Sequence, residues 1–380
     1  MTFRPWLRVA LALFAVGWGA NQFASMLLAY GHELGMATQT RALLFGLYAV
    51  GLIPALLVGG AASDRWGRRA VVLPFVALSP LASVALIVWH DWTPGLAAAR
   101  LLAGLSSGIV FGAATAWVAD LSVDERPGTG ARRAGQFLTA GFAVGPLTAG
   151  MIAEFSAHPL TVPYVPHLVL GVLSVVLLWP VAGPRPAVPP RRPLFRLPAA
   201  ALSRRFVLTV APAAPWVFAS AVITFAYLPS VIDTPVQGEL AFAALLTFVT
   251  LGTGVAVQPL ARRLDDRRIG MLFTIAALLL GVLAVGTDNR WIVLLAAPVF
   301  GAGYGSGLVT GLREAERLAP ESEKGALVGV FYSLAYLGMF APYLLGAFGS
   351  ARVALLVAVG VALASLAVTS TTGLKRPVRG

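Results

Sequence analysis

Long apolar runs constrain the fold of this chain more than any other feature. The 380 residues contain about a dozen such runs of roughly 20 residues, the length that a transmembrane helix needs. Only 12% of residues are charged, against about a quarter in soluble proteins. Membrane barrel strands would alternate apolar and polar residues over about ten positions, and these runs do not. The sequence therefore predicts an all-α integral membrane protein.

Twelve runs fit a spanning helix, and an even number places both termini on one side of the membrane. The predicted spans are 7–31, 42–61, 70–90, 94–119, 135–156, 161–182, 206–228, 239–260, 269–286, 291–312, 325–348 and 351–373.

The basic residues orient these spans. The net charge is +12, and the arginines lie in short segments between apolar runs. With the N-terminus inside, the outer segments hold only Arg41, Arg290 and Arg352. Basic residues concentrate in cytoplasmic loops, so both termini are predicted to be cytoplasmic in an inner or plasma membrane. The same distribution argues against nucleic-acid binding, and the absence of cysteine excludes disulfides and thiolate-bound metal.

A segment rich in proline and arginine divides the chain midway. Its prolines oppose a regular helix, and its arginines favour the anionic inner leaflet. The predicted organisation is an N-terminal six-helix bundle at 1–182, a cytoplasmic linker at 183–205 and a C-terminal six-helix bundle at 206–380.

The two halves resemble diverged repeats. The stretch Asp64–Arg69 follows the second span of the first half, and Arg262–Arg267 follows the second span of the other half. The acid and both glycines of the first copy have no counterpart in the second, which is interpreted as a decayed copy. Parallel repeats of this kind place a substrate site near the bilayer midplane.

The first copy carries a specific pattern, G-x-x-x-D-R-x-G-R-R. It resembles the signature between the second and third helices of the major facilitator superfamily. The resemblance implies an ion pair between Arg68 and Asp120, at the end of the fourth helix. It also implies a contact of Asp64 with the eleventh helix near Gly325–Val328, so that the cluster latches the inner gate. The residues assigned to this latch are Gly60, Asp64, Arg65, Gly67, Arg68, Arg69 and Asp120.

Arg100 lies six residues inside the fourth predicted span. A charge within the membrane is costly and indicates a functional role, against the alternative of a side chain that reaches back to the surface. Gly104 and Gly108 follow at four-residue spacing, which permits close helix packing. Together the three residues resemble the fourth-helix pattern of the superfamily, whose arginine is linked to proton coupling.

The fifth predicted span favours export. Gly141, Gly145, Pro146 and Gly150 resemble the G-x-x-x-G-P-x-x-G-G pattern of the drug:proton antiporter branch, with Ala149 in place of one glycine. Proline kinks a helix, and glycine allows a neighbouring helix to approach closely.

The proton carrier is less clearly indicated. No Asp or Glu lies at mid-depth in a predicted span, although related antiporters usually bury acids there. The remaining candidates are Glu154 and Glu33, the latter near Arg41, and uniport or coupling to another ion stays open.

Polar and aromatic residues at mid-depth are candidates for the substrate cavity. Amides in hydrocarbon need partners, whereas mid-span aromatics more often pack than bind. The candidates are Asn21, Gln22, Trp216, Tyr304 and Tyr336. None is charged, which favours a neutral, apolar or cationic amphiphilic cargo.

Two further patterns are set aside. Gly301–Gly307 has alternating glycines without a preceding strand, so it is interpreted as a packing motif and not as a nucleotide loop. His158 and His167 flank a predicted outer loop without a third ligand, so no metal site is expected.

The resulting prediction is a transporter with twelve helices in two six-helix repeats that works by alternating access. Its leading function is export of a small apolar or amphiphilic molecule, in exchange for protons. The alternatives are import of a small solute such as a sugar or metabolite, or a non-transporting membrane receptor or membrane enzyme. The expected partners are a small-molecule substrate, protons and the lipid bilayer, with no nucleic acid and no cofactor, and the chain is expected to be a monomer.

Overall fold

A computed structural model describes residues 4–123, 125, 126, 128–183, 194, 197–232, 238–320 and 323–371. These residues form helices and short connections, with no strand among them. The helical segments are α1 Pro5–Leu34, α2 Thr38–Trp66, α3 Arg68–Val88, α4 Thr93–Asp120, α5 Thr129–Phe155, α6 Val162–Leu178, α7 Arg204–Ser230, α8 Glu239–Leu264, α9 Arg268–Gly286, α10 Arg290–Leu318, α11 Lys324–Gly346 and α12 Ala351–Thr371.

Eleven of these segments are long and apolar enough to cross a membrane, and α6 is apolar but shorter. Several helices extend beyond their predicted spans. Helices α2 and α10 each contain 29 residues and reach about 43 Å at 1.5 Å per residue, which exceeds a hydrocarbon core of about 30 Å. Their polar ends were excluded from the predictions because apolarity, rather than helix formation, defined those spans.

Local sequence explains where several helices begin and change direction. Pro5 and Pro94 occupy first-turn positions, where a missing N–H costs no helical hydrogen bond. The Ser203 hydroxyl accepts a hydrogen bond from the Phe206 N–H at 3.2 Å and so caps the start of α7. Arg204 and Arg205 therefore belong to α7 and not to the predicted linker, whose residues 184–193, 195 and 196 lie outside the described residues.

The chain divides into two compact units. The first contains Met1–Arg196 with Gly238–Ala244, and the second contains Leu197–Gln237 with Leu245–Gly380. In the first unit, α4 packs along α2 and α3, while α1 packs on α4, α5 and α6. In the second unit, α9 packs on α10 and α12, and α7 packs on α10 and α11.

The Gly301–Gly307 pattern is a packing motif, as predicted. Gly301 and Gly305 lie against the backbone of α8, whereas Gly303 and Gly307 lie against α9. The alternation of glycines therefore lets α10 approach two neighbours at once within the second unit.

Candidate gating and coupling sites

The stretch from Gly60 to Arg69 is mostly helical and not a loop. Helix α2 continues through Trp66, and α3 begins at Arg68. Gly67 alone separates them, with φ of 94°, a backbone conformation that side chains disfavour. A single residue therefore makes the turn that brings the end of α2 beside the start of α3.

Arg68 is the centre of a small polar cluster. Its Nε donates to Asp120 Oδ2 at 2.9 Å, which confirms the predicted ion pair. Its Nη1 donates to Ser63 Oγ at 2.6 Å and also to Asp64 Oδ1. Asp120 ends α4, where a negative charge opposes the helix dipole, so the guanidinium of Arg68 stabilises it there.

The other members of the stretch have different surroundings. The Arg65 guanidinium lies 5.4 Å from the centre of the Trp66 ring, and Arg69 donates to the Trp179 carbonyl oxygen at 2.8 Å. A Cβ on Gly60 would meet no atom within 4 Å, so no close packing at this position requires a glycine. Among the described residues, Arg68, Asp64 and Asp120 thus form the ion-paired part of the predicted latch.

The second copy is reversed in charge rather than simply decayed. Asp265 lies at the end of the helical segment Gln258–Leu264 with φ of 50°. It accepts hydrogen bonds from Arg313 Nη1 at 3.3 Å and from Arg317 Nη2 at 2.5 Å. The hydrogen bond from Arg317 is the largest cause that holds the Asp265 pKa below its ordinary value. One unit therefore surrounds an arginine with two acids, and the other surrounds an acid with two arginines.

Arg100 is fully buried, so its side chain does not reach back to the surface. Its Nε and Nη2 donate to the carbonyl oxygens of Leu44 and Phe45, each at 3.3 Å. Its guanidinium also lies 4.5 Å from the ring centre of Phe23 and 4.9 Å from that of Tyr48. Carbonyl dipoles and aromatic faces both attract a cation, so α1 and α2 together stabilise this charge.

The glycines after Arg100 face α2. A Cβ on Gly104 would overlap the Tyr48 carbonyl oxygen, and one on Gly108 would overlap that of Leu52. In α5, Gly141 and Gly145 lie against the backbone of α1, with the buried Pro146 next in the chain. These positions are the ones where the sequence predicts close helix packing.

Glu154 contacts the first turn of α8, which groups with the first unit. Its Oε2 accepts hydrogen bonds from the backbone N–H of Leu240 at 3.0 Å and of Ala241 at 3.3 Å. N–H groups in a first helical turn have no partner in their own helix, so the carboxylate satisfies two of them. In the same turn, Oε2 of Glu239 lies 3.4 Å from Nε2 of His32.

The other acidic coupling candidate, Glu33, is exposed near the end of α1. Arg41, its expected neighbour, donates to the Leu27 carbonyl oxygen and to the Thr38 hydroxyl, each at 2.8 Å.

The amide candidates for the substrate cavity are bonded within the first unit. Asn21 donates to the Phe142 carbonyl oxygen at 3.0 Å, and the buried Gln22 donates to Ser83 Oγ at 2.9 Å. Ser83 in turn lies 2.7 Å from His167 Nδ1. His167 is buried within α6, so the prediction that it flanks the outer loop is wrong.

The aromatic candidates pack in the second unit. Phe218 stacks on Tyr336 with ring centres 4.3 Å apart, and it also contacts Tyr304 at 5.7 Å. Trp216 Nε1 donates to Ser365 Oγ at 3.2 Å. Trp216 also lines a cavity inside this unit.

One buried acid was missed from the sequence. Glu314 lies in α10 and is only 8% exposed, two residues beyond the predicted span 291–312. The prediction that no acid lies at mid-depth in a predicted span did not extend to this position, which lies beyond the span. The signal that could have revealed it is the uninterrupted helical pattern through Arg313–Leu318, which contains no glycine or proline.

Comparison with known proteins identifies the family. The model of the Major Facilitator Superfamily matches residues 9–342. The chain belongs to the major facilitator superfamily. It is therefore a multi-pass membrane transporter and not an enzyme. The match confirms the resemblance to the superfamily, and the solved structures confirm the predicted fold class.

Two curated relatives match part of this transporter. The quinolone resistance protein NorA of Staphylococcus aureus is 23% identical over 165 residues, which cover 43% of this chain and 42% of NorA. The 3-(3-hydroxy-phenyl)propionate transporter of Escherichia coli is 30% identical over 160 residues, which cover 40% of this chain and 38% of that protein. The matches thus span about two-fifths of these relatives.

Solved structures share the fold over nearly the whole chain. The nucleoside transporter NupG has a TM-score of 0.75 at 12% identity, with 97% of this chain and 100% of that chain covered. The D-xylose-proton symporter has a TM-score of 0.69 at 13% identity, with 96% of both chains covered.

Proposed function

We propose that this transporter exports a small apolar or amphiphilic molecule in exchange for protons, across a plasma membrane with both termini in the cytoplasm. The observation that carries the proposal is the α5 pattern Gly141, Gly145, Pro146 and Gly150, which resembles the drug:proton antiporter branch. Two of its glycines lie against α1, as a packing motif requires. The partial likeness to NorA, a quinolone resistance protein, supports the same direction.

Glu154 is the best supported proton carrier among the sequence candidates. Its carboxylate accepts two N–H groups of α8, where the helix dipole favours a negative charge. Protonation of Glu154 removes that charge and weakens its hydrogen bonds to the first turn of α8. Proton binding is thereby linked to the position of α8. The guanidinium of Arg100 is stabilised by carbonyl oxygens and aromatic rings. Arg100 stays a coupling candidate because it affects how α1, α2 and α4 pack together.

The cluster around Arg68 is proposed as the inner latch. The Asp64 carboxylate is 55% exposed. We propose that it contacts the start of α11 near Gly325–Val328 in the outward-open state. Arg68 fixes Asp64 and Asp120 side by side and so presents the acid in one position. The packed candidates Asn21, Gln22, Tyr304 and Tyr336, with Trp216, are proposed to line the substrate path only after helices move.

Import of a small solute is the second candidate. The 3-(3-hydroxy-phenyl)propionate transporter, which is named for a small solute, matches at 30% identity, and the D-xylose-proton symporter shares the fold. An importer driven by protons would move solute and proton in the same direction.

A proteoliposome flux assay separates the two functions. The probes are a quinolone, ethidium, D-xylose and 3-hydroxyphenylpropionate, each with an acidic, alkaline or neutral lumen. Exchange predicts accumulation of the quinolone or ethidium when the lumen is acidic, because protons leave as the solute enters. Accumulation of xylose or the propionate with an alkaline lumen would establish symport instead. Flux that does not depend on the gradient would remove the proton coupling.

A further inference from the structure

His167 is a buried ionisable side chain that the proposed exchange has not used so far. Only 1% of it is exposed, and its ring occupies the space that a Cβ on Gly19 of α1 would need. Gly19 lies near the middle of α1, and the two serines that contact the ring lie near the middle of α3. The ring is therefore at mid-depth, where an ionisable group is costly and indicates a functional role.

Two serine hydroxyls bind the two ring nitrogens. Ser83 Oγ lies 2.7 Å from Nδ1, and Ser79 Oγ lies 3.2 Å from Nε2. Because Gln22 Nε2 donates to the Ser83 oxygen at 2.9 Å, the hydrogen of Ser83 is available to Nδ1. Nδ1 is then the acceptor, and Nε2 carries the hydrogen and donates it to Ser79. The ring is thus neutral in this conformation, as a group without contact to water prefers to be.

The helices packed around the ring place their charged residues elsewhere. His167 belongs to α6, which packs against α1 and α3. Among the described residues, the charged or titratable side chains of α1 and α3 other than Tyr30 lie near the helix ends: Arg8, His32, Glu33, Arg68 and Arg69. The other titratable residue of α6 is Tyr164, whose hydroxyl pairs with that of Tyr30 at 3.1 Å. A proton on the ring therefore has no carboxylate that would hold it permanently, and exchange requires a proton that can leave.

Gln22 contains the unused group of this network. Its Oε1 is buried and has no hydrogen-bond partner among the described residues. When His167 takes a second hydrogen, Nδ1 becomes a donor to Ser83, and the hydrogen of Ser83 then needs another acceptor. Rotation of the Gln22 amide brings Oε1 to that hydrogen. The ring and Ser83 thus have acceptors for their hydrogens in both protonation states, whereas Gln22 Oε1 gains a partner only in the protonated state.

We propose that His167 binds the exchanged proton at mid-depth and that Gln22 transmits the protonation state to the substrate path. The inference rests on the proposed exchange and adds a site inside the membrane to Glu154, which lies near the end of α5. The proton adds to the lone pair of Nδ1 and leaves from the same nitrogen, so only this N–H bond forms and breaks. Neutral His167 holds the amide N–H of Gln22 on Ser83, whereas protonated His167 holds the amide oxygen there and releases the N–H groups toward the path.

NMR of the isotope-labelled full-length protein in lipid nanodiscs tests the proton site directly. The chain contains four histidines, and substitution of each by glutamine in turn assigns their ring signals. We expect the ring signals of His167 to change with pH between about 4.5 and 8. Signals that stay constant over this range would overturn the proposal, whatever the flux assay shows.

The same spectra test the role of Gln22. Its side-chain amide signals should change over the pH range in which His167 titrates. Ser83→Ala removes the hydroxyl between the two side chains and should abolish the change at Gln22. Amide signals that do not follow the titration of His167 would refute the transmission.

Flux into liposomes separates coupling from folding. One proton per solute gives about tenfold accumulation of ethidium for a gradient of about one pH unit. His167→Gln keeps a donor and an acceptor but cannot titrate, so it should lose this accumulation and retain ethidium–ethidium exchange at equal pH. His158→Gln, which changes an exposed histidine, is the matched control and should retain both. Full accumulation in His167→Gln would refute the assignment. An unmodified protein without accumulation would remove the proposed exchange, and the NMR titration would then decide on His167 alone.

Discussion

At the scale of single residues, two glycines of one signature have opposite environments. Gly67 has φ of 94° and forms the turn between α2 and α3, whereas Gly60 lies within α2 and faces open space. The sequence pattern does not distinguish the two glycines, because it specifies residue type and not backbone dihedral angles. The family pattern predicted the group formed by Asp64, Arg68 and Asp120. It did not predict the charge-reversed cluster at Asp265, because the residues of that cluster do not align with those of the first copy.

The matched variants Gly67→Ala and Gly60→Ala test this difference. At Gly67 an alanine enters a disfavoured backbone region, which should destabilise the protein by about 1–2 kcal/mol. At Gly60 an alanine removes backbone freedom within a helix and should stabilise by up to about 1 kcal/mol. Thermal unfolding in one detergent measures both. A loss of stability at Gly60 equal to that at Gly67 would contradict the assigned backbone roles.

At the scale of helices, the apolar part of each helix could be predicted from the sequence, but its full length could not. The order and number of the apolar helices could be predicted, because each needs about 20 apolar residues. Their ends could not, because polar residues such as Glu314 continue a helix beyond its apolar part. Contacts such as that of Glu154 with α8 join residues 86 positions apart and leave no local signal.

The attachment of α8 by Glu154 can be measured directly. Glu154→Ala leaves the N–H groups of Leu240 and Ala241 without their acceptor, and loss of such a cap costs about 1 kcal/mol. Hydrogen–deuterium exchange of the peptide that contains these amides should accelerate about fivefold. Glu33→Ala, an exposed acid near the end of α1, serves as the control. Equal protection in all three proteins would show that Glu154 does not hold this turn.

At the scale of the whole molecule, the Arg68 cluster should bias the conformational equilibrium. Arg68→Ala leaves Asp64 and Asp120 side by side without their shared cation, and Asp64→Asn removes the charge proposed to reach α11. Each variant should shift the population away from the outward-open state about fivefold, for a loss of about 1 kcal/mol.

The chain has no cysteine, so spin labels can be attached at introduced pairs without background. Double electron–electron resonance on such pairs measures the two populations. Arg132→Ala is the control, because Arg132 is exposed and lies outside the predicted latch. Populations that match those of the unmodified protein in both test variants would rule out a latch at this position.

The surroundings of Arg100 constrain the order of membrane insertion. An arginine at the centre of an isolated helix opposes insertion by about 3 kcal/mol. Its hydrogen-bond acceptors, the carbonyls of Leu44 and Phe45, belong to α2, which leaves the ribosome before α4. We predict that helix α2 remains beside the translocation channel until α4 arrives. Deletion of α2 from the nascent chain should prevent α4 from integrating, although α4 is apolar enough by composition.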